Sequence, residues 1–274
     1  MTFRLPTASA PSASGPRRRS LLLAGGATAL GLSSARPAQA KLEELIVAAK
    51  PSVVAVGVFN PTASPRFGFR GTGFVVGNGN LVVTNRHVLP DVVPPGGTEG
   101  SLAVVAPRLG ESESLGVRPA TVLGMSREHD LALLRIDGAP LPALPLSEAA
   151  RAREGAAVAI IGFPIGGALG FTPVTHRGIV ASITAIALPA PTSQSLGNQA
   201  INRLRQGSFD IYQLDATAYP GNSGGPVLDI ESGQVIAVIN MVLVKGSREN
   251  AISHPSGISY AIPVRFVHEL MKGR

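Results

Sequence analysis

The feature that most restricts the fold is punctuation. Short apolar runs rich in Val, Ile and Leu recur along the chain, each closed by Gly, Asn or Pro. They fall at 53–59, 72–76, 81–84, 101–105, 117–123 and 131–136, then at 157–162, 176–186, 211–214, 227–230, 235–244 and 258–261. Such lengths and spacings suit the strands of a sandwich or barrel. The 32 glycines and 23 prolines are scattered, which favours a turn-rich all-β chain over a helical one. A Pro-rich crossover at 137–145 splits the runs and reads as the connection between two barrels. The first is expected at about 51–138 and the second at about 146–262. A helix is expected at each end. Residues 41–50 put Leu42, Leu45, Ile46 and Ala49 on one face before Pro51 stops the helix, and 264–272 turn Val264, Val267 and Met271 inward. Residues 91–100 read as a Pro/Gly-rich surface loop. Residues 187–210 read as a long loop with few periodic apolar positions.

The chain start has another character. Residues 1–16 are rich in Pro, Ser and Ala. Arg17-Arg18-Arg19, an apolar stretch over 21–32 and Ala38-Gln39-Ala40 then follow in the order of an export signal, with Lys41 as the expected mature start. Arg18-Arg19-Ser20-Leu21-Leu22 is twin-arginine-like, and a Sec signal with a basic start is the alternative. Residues 1–40 are therefore read as the signal and 41–274 as the folded domain. The apolar stretch, broken by Gly25, Gly26 and Gly31, is short for a membrane span, so no stable insertion is expected after cleavage. The formal charge of +7 follows the same division. Residues 1–40 hold five Arg and no acid, leaving 19 basic against 17 acidic residues in the remainder. That near balance argues against a nucleic-acid partner. The absence of cysteine excludes disulfides, thiolate catalysis and Cys-ligated zinc.

Three places in the chain carry chemistry. In Gly221-Asn222-Ser223-Gly224-Gly225-Pro226, glycines on both sides of one serine permit a sharp turn that exposes its hydroxyl. The same turn can aim the Gly221 and Ser223 amides at one point, as an oxyanion hole requires. His87, in Thr84-Asn85-Arg86-His87-Val88, stands where a strand gives way to a loop, so its imidazole can exchange a proton with Ser223. Asp130 opens the apolar run 131–136. A partly buried carboxylate there needs a partner, which the His87 ring N–H would supply. Asp137, Asp215 and Asp229 are rivals on residue type alone. Each place has an ordinary structural alternative: a Gly-rich turn, a structural histidine, a turn-capping Asp.

Together these motifs resemble the chymotrypsin-fold serine proteases, and more closely their HtrA/Deg (protease Do-like) branch. The resemblance runs on Thr84-Asn85-x-His87-Val88, Asp130-Leu131-Ala132-x-Leu134-like spacing and the Gly221–Pro226 stretch. It continues through Gly162-Phe163-Pro164, Gly178-Ile179-Val180-Ala181-Ser182, Gln213-Leu214-Asp215-Ala216 and Gly257-Ile258-Ser259-Tyr260-Ala261-Ile262-Pro263. It implies a trypsin-like fold of two six-stranded antiparallel β-barrels over 41–274. Ser223 would be nucleophile, His87 general base and then acid, Asp130 its orienter, with the oxyanion hole formed by the backbone N–H groups of Gly221 and Ser223. Asn222 replaces the Asp that digestive relatives pair with a new N-terminus, as is usual in this branch. The branch's typical PDZ module is not found in 41–274. A homotrimer is implied as well, although the segment before the first run is short for one.

The resemblance places Thr217 at the floor of the primary pocket, where Lys or Arg specificity would need an acid. Ala216, Thr217 and Ala218, with walls at Ile239, Asn240 and Met241, suggest a substrate-binding pocket for small or medium aliphatic side chains, narrowed by Tyr219. The remaining histidines get plain readings: His129 beside the Asp130 turn, and His176, His254 and His268 at the surface. No metal-binding or phosphate-binding spacing occurs, so neither metal nor cofactor is expected. The reading is an exported serine endopeptidase, periplasmic or extracellular, acting on unfolded polypeptide substrates. The alternatives are a protease-fold binding or chaperone module with little turnover, and a hydrolase of non-peptide esters.

Overall fold

Val- and Ile-rich runs bounded by glycine satisfy their backbone groups most completely when the sheet closes on itself, and this chain does so twice. The computed structural model describes residues 38–91, 100–106, 116–149, 151–164, 166, 170–185, 209–240 and 257–273. Helix α1 covers Ala38–Ala49, and a 3-10 turn at Lys50–Ser52, started by Pro51, leads into the first strand. The first barrel consists of β1 (Val53–Phe59), β2 (Phe67–Val76), β3 (Leu81–Asn85), β4 (Ser101–Ala106), β5 (Gly116–Ser126) and β6 (Leu131–Ile136). The second consists of β7 (Ala157–Gly162), β8 (Val174–Ala185), β9 (Asp210–Asp215), β10 (Pro226–Asp229), β11 (Val235–Asn240) and β12 (Ile258–Pro263). Helix α2 (Arg265–Lys272) follows.

Both barrels are closed and antiparallel, in the orders β1-β2-β3-β6-β5-β4 and β10-β11-β12-β9-β8-β7. Closure comes from pairing β1 with β4 (Val56 opposite Val104) and β10 with β7 (Val227 opposite Ile160). Every expected strand is present. The one substantial boundary difference is β2, which begins at Phe67 rather than 72. Arg70 and two glycines mask a period-2 pattern there, in which Phe67 is buried and Phe69 half-buried. The expected run 235–244 is described as strand to Asn240. The rest of it, the 187–208 part of the long loop, the 92–99 part of the surface loop, and the 1–37 part of the signal lie outside the described residues.

Alternation along the strands sorts the core. Val54, Val56, Val75, Val82, Val104 and Leu134 cluster within the first barrel, while Val158, Ile160, Val180, Leu214, Val227 and Ala237 cluster within the second. The opposite faces merge into one cluster that draws on both barrels and both helices. It includes Ala49, Phe74, Leu133, Ile161, Phe163, Val238, Ile262 and Val267. The apolar face expected of α1 packs as anticipated, with Leu42 and Ala49 buried and Leu45 and Ile46 against the core. Helix α2 buries Phe266 in addition to Val267.

The histidines depart from expectation. His176 and His268 are half-buried rather than on the surface, and His254 lies outside the described residues. His268 donates from Nε2 to the Ser147 carbonyl at 3.0 Å. His176 lies beside Tyr219, with ring centroids 5.7 Å apart, on the face of β8 that also turns Val180 inward. His129 does stand at the Asp130 turn, but its ring stacks on Phe266 at 3.7 Å and meets Phe209 edge-on at 4.8 Å. A lone histidine between polar neighbours carries no sequence sign of such stacking, because the aromatic partners lie far along the chain.

Two outcomes are expected. Leu133, 1% exposed in the cluster joining the barrels, should cost about 2–5 kcal/mol when changed to Ala, read from urea unfolding. Burial pushes the pKa of both His129 and His176 below 6.5, so the unfolded chain binds protons that the fold refuses. Their contribution is complete above the unfolded value and is lost as pH falls towards the folded one. The urea midpoint should therefore drop between pH 7.5 and 5, and drop less in a His129→Gln, His176→Gln double variant.

Candidate active site

The site is assembled from turns at the ends of three strands. At the end of β3, Asn85 passes into a 3-10 turn, Arg86–Val88, that carries His87. The turn is pinned from two sides. Arg86 N–H donates to the Asp130 carbonyl at 3.0 Å, and Arg70 Nε of β2 donates to the Val88 carbonyl at 2.7 Å. Asp130, in the turn before β6, has φ +51°, a left-handed conformation that Asp tolerates better than most residues.

That conformation presents the Asp130 carboxylate to three donors. Oδ1 accepts the His87 backbone N–H at 3.0 Å, while Oδ2 accepts from His87 Nδ1 at 2.6 Å and from Asn240 Nδ2 at 2.8 Å. A carboxylate accepts only, so Nδ1 bears the proton and Nε2 carries the free lone pair. The imidazole and carboxylate remain partly open to solvent, with side chains 28% and 25% exposed.

The serine turn lies against the end of β3, the strand that leads to His87. Asn222 N–H donates to the Tyr219 carbonyl at 3.0 Å, closing a four-residue turn with Pro220 second and Gly221 third at φ +105°. This is the signature of a type II turn. A Cβ on Gly221 would lie 2.3 Å from the Phe163 carbonyl, so glycine is required by space as well as by φ. Gly224 has φ +86°, and a Cβ there would lie 2.2 Å from the Thr72 carbonyl and 2.4 Å from Thr84 Oγ1. The backbone after Ser223 thus lies directly against the strand end that leads to His87. Among the described residues the Gly221 and Ser223 N–H groups donate to no protein acceptor, and Ser223 Oγ makes no hydrogen bond to His87.

The structure therefore brings His87 and Asp130 into direct contact and sets the Ser223 turn beside them. The expected pocket residues fare differently. Ala216, Ala218 and Ile239 turn their side chains into the core of the second barrel, and Asn240, 2% exposed, is on Asp130. The four residues read as pocket lining therefore also have packing and hydrogen-bonding roles in the second barrel. Ala216, Ala218 and Ile239 contribute to that core, and Asn240 Nδ2 donates to the Asp130 carboxylate. Thr217 remains half-buried, and Met241 lies outside the described residues. Sequence reasoning missed Arg70 and Thr72, both β2 residues whose bonds bridge to distant segments. Nothing local distinguishes them. Asn222 is fully buried, and both polar atoms of its side chain lack hydrogen-bond partners among the described residues. Among the described residues no group of three or more His, Asp or Glu is arranged to hold a metal ion.

Two closed six-stranded barrels with a His–Asp pair set against a glycine-bounded serine define a trypsin-like peptidase fold. The trypsin-like peptidase domain family matches residues 71–238, and the chain belongs to that family. Within it, the chain stands in the HtrA branch. It is 33% identical over 195 residues to the probable periplasmic serine endoprotease DegP-like of Chlamydia pneumoniae, covering 71% of this chain and 32% of that protein. It is 30% identical over 197 residues to the mitochondrial serine protease HTRA2 of Drosophila pseudoobscura pseudoobscura, covering 72% and 37%. The chain thus spans about a third of the length of these relatives. The solved HtrA-type protease AlgW with a tripeptide shares the fold at TM-score 0.56 and 24% identity, covering 84% of this chain and 62% of that one.

Removing the Asn240 amide leaves Asp130 Oδ2 with His87 as its one side-chain donor among the described residues. Hydrogen bonds to charged groups contribute about 1.5–3 kcal/mol, so Asn240→Ala should lower kcat by roughly ten- to a hundredfold. KM should stay nearly constant, and steady-state kinetics on a peptide ester would measure both.

Proposed function

We propose that this chain is an exported serine endopeptidase that cleaves unfolded or exposed polypeptide segments through an acyl-enzyme. The observation that supports this reading is the His87–Asp130 hydrogen bond, in which Nδ1 carries the proton and Nε2 keeps its lone pair. Nε2 takes the Ser223 proton as Oγ attacks the scissile carbonyl. The Gly221 and Ser223 N–H groups receive the developing oxyanion. The C–N bond then breaks, and the imidazolium returns its proton to the leaving amine. Water, deprotonated by Nε2, attacks the ester carbonyl. The carboxylic acid leaves, and Ser223 regains its proton.

Thr217 brings no charge to the primary pocket, which supports cleavage after small or medium aliphatic residues rather than Lys or Arg. Arg17 to Ala40 supports export, to a periplasmic or extracellular location. A DegP-like relative is described as periplasmic, and an HTRA2 relative as mitochondrial. The family relationship supports polypeptides as partners and a homotrimer as the assembly to test.

One observation favours a second reading. Ser223 Oγ is not hydrogen-bonded to His87, as a binding module or a site closed only by ligand would have it. The test gives the purified protein and its Ser223→Ala variant unfolded casein and a fluorophosphonate. Labelling and cleavage by the parent alone is the expected outcome. A folded parent that does neither would transfer the case to the binding reading. Peptides with Val or Ala before the scissile bond should be cleaved faster than those with Lys or Arg.

A further inference from the structure

Thr72 lies within β2 of the first barrel and is completely buried. A buried threonine in a strand commonly satisfies its hydroxyl close by. This one does not. Its Oγ1 donates to the Gly221 carbonyl at 2.6 Å, 149 residues away, and accepts the Phe163 N–H at 3.1 Å. Its backbone N–H donates to the Ser223 carbonyl at 2.9 Å, and its own carbonyl accepts from Thr84 Oγ1 at 2.7 Å. Three of these four bonds cross to the turns of the second barrel.

The two carbonyls that Thr72 holds flank the residues that matter. The Gly221 carbonyl fixes the peptide plane before Asn222, and the Ser223 carbonyl fixes the plane after Ser223. The plane between them is held by Gly225 N–H on the Asn222 carbonyl at 2.9 Å. The Ser223 side chain is therefore suspended between two anchor points on one residue. The type II turn, which leaves Gly221 N–H without a protein acceptor, has its carbonyl end tied to the same hydroxyl. The segment has no slack, since a Cβ on Gly162 would lie 3.0 Å from Thr72 Oγ1 and 2.7 Å from Asn222 Oδ1.

We propose that Thr72 is a positioning residue for the acyl-transfer site: its hydroxyl clamps the Gly221 carbonyl and so holds the oxyanion-binding turn in its receptive form. This deepens the serine-peptidase reading and rests on it. Without the hydroxyl, the Gly221 carbonyl and the Phe163 N–H would both be buried unpaired, and rotation of the turn would be their route to new partners.

The test compares the parent with Thr72→Val, which keeps the shape and loses the hydroxyl, and Thr72→Ser, which does the reverse. Active sites are titrated with a fluorophosphonate, so that misfolded molecules do not count. Per titrated site on a small peptide ester, Thr72→Val should lower kcat about ten- to a hundredfold, below the loss for removing an oxyanion donor itself. KM should move less than about threefold, because ground-state binding does not use the hole. Thr72→Ser should return to within about threefold of the parent on the same comparison of transition-state stabilisation. Hydrogen exchange at the Phe163 amide gives a readout independent of turnover: faster in the Val variant, unchanged in the Ser variant.

Turnover per site by Thr72→Val within twofold of the parent would overturn the proposal. So would a Ser variant as impaired as the Val variant, which would assign the effect to the methyl group. Should Thr72→Val not fold, the Ser variant decides alone, since it retains turnover only if the hydroxyl carries the role. A parent unreactive towards both ester and fluorophosphonate would sink the peptidase reading and the catalytic part of the clamp. Exchange at Phe163 would still report whether the hydroxyl holds the turn.

Discussion

A partly buried carboxylate has to find donors, and Asp130 finds them in both barrels. His87 belongs to the first and Asn240 to the second, and both reach the same oxygen at 2.6 Å and 2.8 Å. The geometry of one ionised group thereby ties the imidazole to the relative position of two separately closed sheets. An ionised group makes stronger hydrogen bonds than a neutral one, and its desolvation makes losing them costly. The left-handed backbone at Asp130 is a local strain accepted in return for that convergence.

The opposite wall is built on tight approach rather than charge. Glycine at 221 and 224 lets backbone come within a distance no side chain allows, against the Phe163 carbonyl on one side and Thr72 and Thr84 on the other. Threonines at these contacts supply hydroxyls where strands would otherwise leave carbonyls or amides unpaired. The Ser223 turn is thus gripped between barrels, not merely displayed on a loop.

Much of this was legible in the sequence. Strand placement follows from apolar runs cut by glycine and proline, and these runs are local. The triad candidates were legible because each sits in a short motif at a strand end. What stayed hidden is what depends on distant partners. Asn240 looked like a pocket wall because it follows Ile239 at a strand end, and no local pattern reveals a bond to Asp130. Ala216 and Ala218 read as pocket lining, and nothing local shows that they also pack in the core of the second barrel. His129 gave no sign of the aromatic stack that Phe209 and Phe266 complete. Arg70 made β2 appear to start late, although its charge lies at the surface end of a bond to the His87 turn.

Closure of both sheets has a consequence for recognition. An open sheet offers a row of unused amides and carbonyls along its edge, where an extended peptide can add itself as another strand. Here β1 pairs with β4 and β10 with β7, so among the described residues each sheet closes on itself over those stretches. Where those strands pair, a guest chain finds no free ladder to join. An extended guest would have to be met by strand ends and connecting segments, the same kind of segment that carries His87 and Ser223.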